Sequence, residues 1–297
     1  MTTERNFNTI SPSARVLLLM KALTDIPFAR ETAALILEPE AFDRLLQQHH
    51  STTFLVRVVH FENRYKTIDQ MLDILRPNNV LELSSGFSCR GLAMAQYKPI
   101  IYLDTDLPES AGNKKTLITD LIRIHHVHRK GKLYVQPLNA MDEAQFENAL
   151  QFFAPGPITI VNEGLLVYLN EEEKRALCKT IHTILKRRGG HWITGDVYLK
   201  NPDHEPGTNG NGTNTNKQTP EDNKWKEFLT EHNVNANKFN SYEEAEIFFK
   251  SCGFRVAHKA PTLHKTLSAL SYFETQIKAE DVDEWLKYRQ TWVLEVE

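Results

Sequence analysis

The stretch Val80–Leu92, VLELSSGFSCRGL, decides the fold class. Its first four residues form a short run that predicts a buried strand, with the acid Glu82 near its end. Small residues at 84, 85, 86 and 88 then predict a tight turn, which leads into the start of a helix. Such a turn lets a ligand lie against the backbone, and the helix after it points N–H groups at that ligand. The stretch therefore indicates a site for a nucleotide-type ligand.

Strands and helices alternate after this stretch. Strands are predicted at 80–83, 99–104, 133–136, 158–161, 191–194, 254–258 and 292–296. Helices are predicted at 113–126, 143–153, 225–231, 242–251 and 281–289, with a long one from Asn170 to Gly189. Asn170 with Glu173, and Ser241 with Glu244, read as helix N-caps. This alternation implies right-handed crossovers and predicts an α/β fold with a doubly wound, mostly parallel sheet.

The chain before this sheet is predicted to be helical. Helices are expected at 13–23, 28–37, 40–49 and 64–75, so residues 1–76 are interpreted as an N-terminal helical cap packed on the core. Residues 77–297 then form the ligand-binding domain. Within that domain, 203–222 is rich in Gly, Asn, Thr and Pro without periodicity, which predicts a flexible loop.

Composition excludes several classes of protein. The net charge is −3 and the basic residues are scattered, so no nucleic-acid partner is expected. No stretch approaches the ~18 apolar residues of a membrane span, and the apolar run near the N-terminus is too short for a signal peptide. The three cysteines, Cys89, Cys178 and Cys252, show no CxxC spacing, so neither a disulfide framework nor a zinc site is suggested. A reducing, cytoplasmic compartment is expected.

No metal site is predicted. His125, His126 and His128 are the candidate ligands, but no acid or cysteine has ligand spacing to them. They lie at a predicted helix end, where a cationic histidine suits the helix dipole.

The turn after the first strand discriminates between two ligand templates. A dinucleotide fingerprint needs GxGxxG, and the three positions hold Ser84, Gly86 and Cys89, so a nicotinamide or flavin site is disfavoured. The first motif of class I S-adenosylmethionine-dependent methyltransferases, acid-x-Gly-x-Gly-x-Gly, fits better. Residues 82–88 match it, with Ser84 and Ser88 replacing the outer two glycines.

Further motifs strengthen this match. They are RYKTIDQML (64–72), YLDTDLPE (102–109), NEGLLVYLNEEE (162–173) and GGHWITGD (189–196). Together with VLELSSGFSCRG, they resemble the leucine carboxyl methyltransferase family, and most of all its bacterial O-methyltransferases of polyketide-type substrates. The resemblance implies the Rossmann-like methyltransferase fold, with seven strands and the last one antiparallel. It also implies S-adenosylmethionine as the cofactor.

The resemblance assigns the nucleoside end of the cofactor to three strand ends. Glu82, Ser84 and Gly86 would form the floor of the site. Asp106 matches the family's ribose-binding acid, whereas the generic geometry of a strand end favours Asp104, so both stay candidates. Residues Asn139 and Ala140, after the third strand, would meet the adenine edge.

The methionine end is assigned to two other motifs. Arg64 matches an arginine that binds the cofactor's carboxylate, and Glu163 matches an acid near its amino-acid end. Tyr168 matches a tyrosine near the transfer site, and Asp196 with Tyr198 follows the predicted fifth strand close to the cleft. Tyr168 and Asp196 are the candidate catalytic residues.

The expected reaction is methyl transfer to an oxygen of a small molecule. A carboxylate acceptor needs no general base, whereas a hydroxyl needs one, and the sequence singles none out. Alternatives are an S-adenosylmethionine-binding sensor without turnover and a protein C-terminal carboxyl methyltransferase. A nicotinamide-dependent oxidoreductase is disfavoured. Both a monomer and a homodimer are compatible with the sequence.

Overall fold

The computed structural model describes residues 12–37, 43, 52–200, 220–263, 266–272, 282 and 286–297. Apart from residue 43, the predicted helix at 40–49 lies outside this part of the chain. Most of the predicted loop at 203–222 also lies outside it, and its last three residues belong to a helix.

A seven-stranded mixed sheet forms the centre of the molecule. Its strands are β1 (Asn79–Leu83), β2 (Ile101–Asp106), β3 (Lys132–Pro137), β4 (Ile158–Asn162), β5 (Gly190–Tyr198), β6 (Phe254–Lys259) and β7 (Arg289–Val296). The strand order is β3-β2-β1-β4-β5-β7-β6. The first five strands pair in parallel, and β7 is antiparallel to both β5 and β6. The predicted fold class, a doubly wound sheet with its last strand antiparallel, is confirmed.

Helices flank the sheet. They are α1 (Pro12–Lys21), α2 (Ala29–Ile36), α3 (Thr52–Leu75), α4 (Arg90–Tyr97), α5 (Pro108–Ile124), α6 (Glu143–Leu150), α7 (Glu171–Arg188), α8 (Pro220–Glu231), α9 (Tyr242–Ser251) and α10 (Ser268–Tyr272). Both predicted N-caps are present. The Asn170 side chain accepts from the Glu173 N–H at 2.9 Å, and the Ser241 hydroxyl accepts from the Glu244 N–H at 3.2 Å.

The N-terminal helix α3 packs directly on the sheet. Ile68 and Leu72 share one buried apolar cluster with Val80 of β1, Val161 of β4 and Ile193 of β5. Burial of such side chains contributes roughly 1.5–3 kcal/mol each. The contact holds α3 across β1, β4 and β5.

Several element boundaries differ from the sequence expectation, and three of them bear on the site or the sheet. Helix α3 begins at Thr52 rather than Arg64, because its first half is buried on nearly all sides and lacks an amphipathic period. Strand β5 continues past Thr194 to Tyr198. The predicted helix at 281–289 is wrong at its end, because Arg289 opens β7 and pairs with Tyr198.

Candidate active site

A cavity of about 1070 Å³, counted out to its open mouth, lies at the carboxyl edge of the sheet. The turns after β1, β3 and β4 and the end of β2 line it, and α1 and α3 close one side. This is the point where strand order reverses, between β1 and β4. The predicted residues Arg64, Glu82, Ser84, Gly86, Asp106, Asn139, Ala140, Glu163 and Tyr168 all line it, whereas Asp104 and Asp196 do not.

The turn after β1 forms the floor of the cavity through a left-handed backbone. Ser84 has φ 50° and Gly86 has φ 49°. A glycine adopts this conformation freely, but an L-residue such as serine pays about 1–2 kcal/mol for it. The Gly86 N–H donates to Asp106 Oδ2 at 2.7 Å, and this hydrogen bond connects the turn to the end of β2.

Replacing Ser84 with glycine is expected to stabilise the fold by about 0.5–1 kcal/mol, because relief of the left-handed strain exceeds the entropy that glycine loses on folding. The matched control is Ser88→Gly. Ser88 does not have a positive φ, and its hydroxyl accepts from the Arg90 N–H at 3.3 Å. We expect that change to destabilise by a similar amount in urea unfolding. Equal shifts of the same sign in both variants would contradict this account of the turn.

Asp104 lies behind the turn rather than in the cavity. Its carboxylate is fully buried and pairs with the Lys114 ammonium of α5 at 3.0 Å. Lys114 also donates to the Ser85 hydroxyl at 2.8 Å, and Ser85 in turn donates to the Thr105 carbonyl oxygen at 3.1 Å. The buried pair therefore supports the turn from below. This placement replaces the expectation that Asp104 binds ribose, because a ligand in the cavity cannot reach it.

Asp104 should make the free energy of unfolding decrease as the pH rises. Burial raises the pKa of its carboxyl from 3.8 to about 7, against the opposing charge of Lys114. The folded chain then binds a proton that the unfolded chain has released, so the free energy of unfolding decreases between about pH 4 and pH 7. In Asp104→Asn we expect this decline to be weaker, as measured by urea unfolding across that range. Asp120→Asn, an exposed change on α5, should keep the wild-type slope; an equal slope in all three proteins would contradict the prediction.

Asp106 is the acid that faces the cavity at the end of β2. Its carboxylate accepts from the Gly86 N–H and from the Leu107 N–H at 2.8 Å. Burial raises its pKa, while these two N–H groups act against that rise. A carboxylate held by the backbone on one side can accept hydroxyl protons on the other.

The residues after β3 expose a side-chain amide and a backbone edge to the cavity. Asn139 and Ala140 line the cavity beside Leu138 and Met141. The Asn139 side-chain Oδ1 accepts from the Met141 N–H at 3.0 Å, which fixes the orientation of the side chain. The surroundings are therefore apolar with a fixed polar edge, an environment that suits a flat heterocycle.

Glu163 lies at the centre of a buried cluster of charges. Its side chain is 4% exposed, and its Oε1 accepts from Lys21 at 2.5 Å and from the Arg64 Nη2 at 3.2 Å. Its other oxygen accepts from the Arg90 Nη2 at 2.7 Å. Burial alone would raise the pKa of Glu163, but the three cations outweigh it and hold that pKa well below its ordinary range. Glu163 is therefore a fixed anion and a weak base.

Arg90 connects this cluster to the first motif. It is fully buried, donates to Glu82 through Nη1 and to Asp69 Oδ1 at 2.7 Å, and its guanidinium lies 4.1 Å from the Tyr65 ring centroid. Glu82 also accepts from the Tyr102 hydroxyl at 2.6 Å. One arginine at the base of the cavity therefore forms ion pairs with both Glu82 and Glu163.

Arg64 is oriented by a second set of contacts. Its Nη1 donates to the Tyr198 hydroxyl at 2.7 Å, and that hydroxyl lies 2.9 Å from His60 Nε2. Burial raises the pKa of Tyr198 to about 12, so its hydroxyl stays protonated and is available to donate to His60. These contacts leave the guanidinium fixed beside Glu163.

Asp196 is buried within β5 and shapes the turn after β4. Its two oxygens accept from the backbone N–H groups of Gly164, Leu165 and Leu166 at 2.7–3.0 Å and from the Asn162 side chain at 2.7 Å. The sequence pattern predicts that β5 ends at Thr194, which would place this carboxylate close to the cleft. Because the strand continues, we revise its role from a catalytic residue to a positioning residue for the segment that carries Glu163.

Tyr168 lines the cavity on the side of α8. Its ring meets Phe228 edge-on with centroids 6.2 Å apart and His232 at 6.3 Å. This fixes an aromatic surface at the cavity wall.

Two site residues were not predicted from the sequence. Lys21 ends α1, far from any motif, and only tertiary packing brings it to Glu163. Arg90 lies inside the motif VLELSSGFSCRG, directly after the turn, so its position was a usable signal. A buried charge this close to an acidic strand end needs a partner.

Comparisons with known proteins give remote structural likenesses only. No protein-family model matches the chain, and no curated protein matches it. Among solved structures, the mitomycin 7-O-methyltransferase MmcR shares 10% identity at a TM-score of 0.46, over 97% of this chain and 67% of that one. Magnesium protoporphyrin IX methyltransferase (ChlM) from Synechocystis, with bound SAH, shares 10% identity at a TM-score of 0.46, over 87% and 95%.

A putative O-methyltransferase from Nostoc punctiforme shares 14% identity at a TM-score of 0.41, over 97% of this chain and 69% of that one. Likeness at this level carries no argument about the activity of this chain.

Within the described residues, no helix is both long enough and apolar enough to cross a bilayer. In the same part of the chain, no group of three or more His, Cys, Asp or Glu side chains is placed to hold a metal ion. The compartment and the oligomeric state stay predictions of the sequence.

Proposed function

We propose that this chain is an S-adenosylmethionine-dependent methyltransferase that methylates an oxygen of a small molecule. The observation that carries the proposal is the cavity itself. It combines a small-residue turn, an acid at the end of β2 and a buried group of one carboxylate with two cations, all at the strand-order switch. These are the groups that a nucleoside joined to a zwitterionic amino acid requires.

The charged cluster fits the amino-acid end of this cofactor. Lys21 and Arg64 would bind the cofactor's carboxylate, and Glu163 would bind its ammonium group. Both cations already form ion pairs with Glu163, so the positive and negative partners are held side by side. Charge-assisted hydrogen bonds of this kind contribute about 1.5–3 kcal/mol each.

The other end of the cavity fits the nucleoside. Asp106 would accept hydrogen bonds from the ribose hydroxyls, and the turn at Gly86 would lie beneath the ribose. Asn139 and Ala140 would contact the edge of the adenine. The cofactor supplies an electrophilic methyl group when bound. The chain's contribution is then to hold the acceptor in line with that group and to exclude water.

The described lining favours an acceptor oxygen that is already ionised. Glu82 is bound by Arg90 and Tyr102, and Glu163 by three cations, so neither carboxylate is free to take a proton. Asp106, the third carboxylate of the lining, would be occupied by the ribose hydroxyls. No histidine is among the lining residues within the described ranges. A carboxylate or an acidic phenol needs no base. We therefore place these acceptors ahead of aliphatic alcohols.

We further propose that the chain belongs to the leucine carboxyl methyltransferase family, in the bacterial branch. The family motifs converge on one cavity, which supports this assignment. RYKTIDQML supplies Arg64, VLELSSGFSCRG supplies Gly86 and Arg90, and NEGLLVYLNEEE supplies Glu163 and Tyr168. Helix α1, from the proposed N-terminal cap at 1–76, contributes Lys21 and apolar residues to the wall.

The test of turnover is a panel of acceptors offered with S-adenosylmethionine, with formation of S-adenosylhomocysteine as the readout. The panel holds small carboxylic acids, acidic phenols, aliphatic alcohols and a peptide ending in leucine. We expect product with an acid or a phenol and little with alcohols. Cofactor binding without product from any acceptor would favour the sensor alternative, and product only from the peptide would favour protein carboxyl methylation.

A further inference from the structure

The guanidinium of Arg64 lies within reach of two carboxylates. Its Nε and Nη2 donate to Glu163 Oε1 at 3.3 and 3.2 Å, and its Nη1 lies 3.8 Å from Asp196 Oδ1. Glu163 lines the cavity, whereas Asp196 is buried and does not. A small rotation of the guanidinium toward Asp196 would shorten the 3.8 Å separation to a hydrogen bond and would withdraw Arg64 donors from the cavity. The two carboxylates therefore compete for Arg64.

The Tyr198 hydroxyl opposes that rotation. It accepts from Arg64 Nη1 at 2.7 Å and lies 2.9 Å from His60 Nε2. Burial, together with nearby positive charges, lowers the pKa of His60 well below its ordinary value, so its imidazole is neutral and can accept a hydrogen bond from Tyr198. The hydroxyl then directs a lone pair at Arg64. Nη1 is thus already bound, at a shorter distance than the one that separates it from Asp196.

The aliphatic part of Arg64 packs closely against a glycine. A Cβ placed on Gly195 would lie 3.0 Å from Arg64 Cγ and 2.9 Å from Ile68 Cδ1, which is closer than side chains normally approach. The Phe61 ring contacts the charged end of Arg64, with its centroid 5.0 Å from Cζ. Gly195 and Tyr198 both belong to β5, so one strand positions the two ends of the arginine side chain.

We propose that Tyr198 and Gly195 are positioning residues for the cofactor. They keep the Arg64 guanidinium at the cavity instead of on Asp196, and so determine the affinity for the carboxylate of the cofactor's amino acid. The inference rests on the proposed function, in which Arg64 binds that carboxylate. A guanidinium carries several N–H groups in a fixed planar arrangement, so Arg64 can bind its present partners and still donate to a ligand. Neither Tyr198 nor Gly195 is among the lining residues, so their effect on the ligand passes through Arg64.

Two ligands that differ by one carboxylate test this role. They are S-adenosylhomocysteine and its decarboxylated analogue, which keeps the nucleoside, the thioether and the ammonium group. In Tyr198→Phe we expect the affinity for S-adenosylhomocysteine to fall by about 5- to 20-fold and that for the analogue by less than about 2-fold, because one hydrogen bond to a charged group is lost. Calorimetric titration measures both affinities. The control Tyr242→Phe removes a hydroxyl that donates to the Lys287 carbonyl oxygen at 2.7 Å, outside the cavity lining, and should keep the wild-type ratio.

Two further variants test whether the effect passes through Arg64. Gly195→Ala should displace the arginine side chain and lower the ratio of the two affinities in the same direction as Tyr198→Phe. Arg64→Met should remove the preference for the ligand with the carboxylate. In that background Tyr198→Phe should not change the ratio further, because residues that act through one contact are not additive.

The outcomes separate this inference from the proposed function. A wild type that binds neither ligand contradicts the proposed function, and the inference with it. A wild type that prefers S-adenosylhomocysteine, with the same preference in Tyr198→Phe, overturns the inference alone. So does a Tyr198→Phe variant that loses both ligands equally, since that loss shows no selective effect on the carboxylate. A Tyr198→Phe effect that is as large without Arg64 as with it also overturns the inference.

Discussion

Glu163→Gln is expected to weaken binding of S-adenosylhomocysteine by about 10- to 150-fold, which corresponds to the ~1.5–3 kcal/mol of one charge-assisted hydrogen bond. The change preserves the shape of the side chain but removes the charge that would bind the ammonium group. It also leaves Lys21, Arg64 and Arg90 without their shared anion. The measurement is isothermal titration calorimetry of the wild type and the variant under one set of conditions.

The control for this prediction is Glu147→Gln. Glu147 is half-exposed, pairs with Arg187 at 2.8 Å on the surface, and is not among the residues that line the cavity. Its replacement changes the net charge by the same amount and should leave the affinity unchanged. If Glu163→Gln binds as tightly as this control, Glu163 does not contact the cofactor.

Arg90→Met is expected to destabilise the fold by about 3–5 kcal/mol, because it removes one partner of a buried ionic network and leaves carboxylates uncompensated. Arg90 contacts Glu82, Glu163 and Asp69, and its side chain is fully buried. Methionine fills much of the same volume, so the loss measures the charge rather than a cavity. Urea unfolding followed by circular dichroism gives the free energy.

The deficit of Arg90→Met should depend on pH. In the wild type the pKa of Glu163 lies well below its ordinary 4.5, so the stability this group contributes is present at neutral pH and is lost as pH falls through the folded pKa. Arg90 supplies part of that contribution. The gap between the two proteins should therefore be larger at about pH 7 than at about pH 4.

Arg187→Met is the matched control on the surface. Its ion pair with Glu147 is half-exposed, and such pairs contribute ~0–1 kcal/mol. A loss in Arg90→Met no larger than in this control would mean that the buried network does not stabilise the fold.

Local sequence patterns predicted most of the sheet and several helix ends. The apolar run at 80–83 lies within β1, and Asn170 and Ser241 cap their helices, because these signals depend on neighbouring residues only. The start of α3 was missed because its first half is buried all round. The end of β5 was missed because Asp196 lies inside a strand, where its charge is satisfied by the turn after β4.

Site residues that belong to sequence motifs could be predicted, whereas those brought to the site only by tertiary packing could not. Nine of the predicted residues line one cavity, since strand ends of a parallel sheet meet at one edge. The choice between Asp104 and Asp106 depended on where β2 ends, and β2 continues to Asp106 because Lys114 compensates the buried Asp104. The role of Lys21 could not be predicted, since nothing near it in sequence indicates a contact with Glu163.

The most direct test of the central claim is a calorimetric titration of the wild-type chain with S-adenosylhomocysteine, alongside NADH as a ligand of the disfavoured class. We expect one molecule of S-adenosylhomocysteine bound per chain, with an affinity in the micromolar range, and no binding of NADH. A chain that gives no binding heat and no rise in melting temperature at millimolar S-adenosylhomocysteine would contradict the assignment of this cavity as a methyltransferase site.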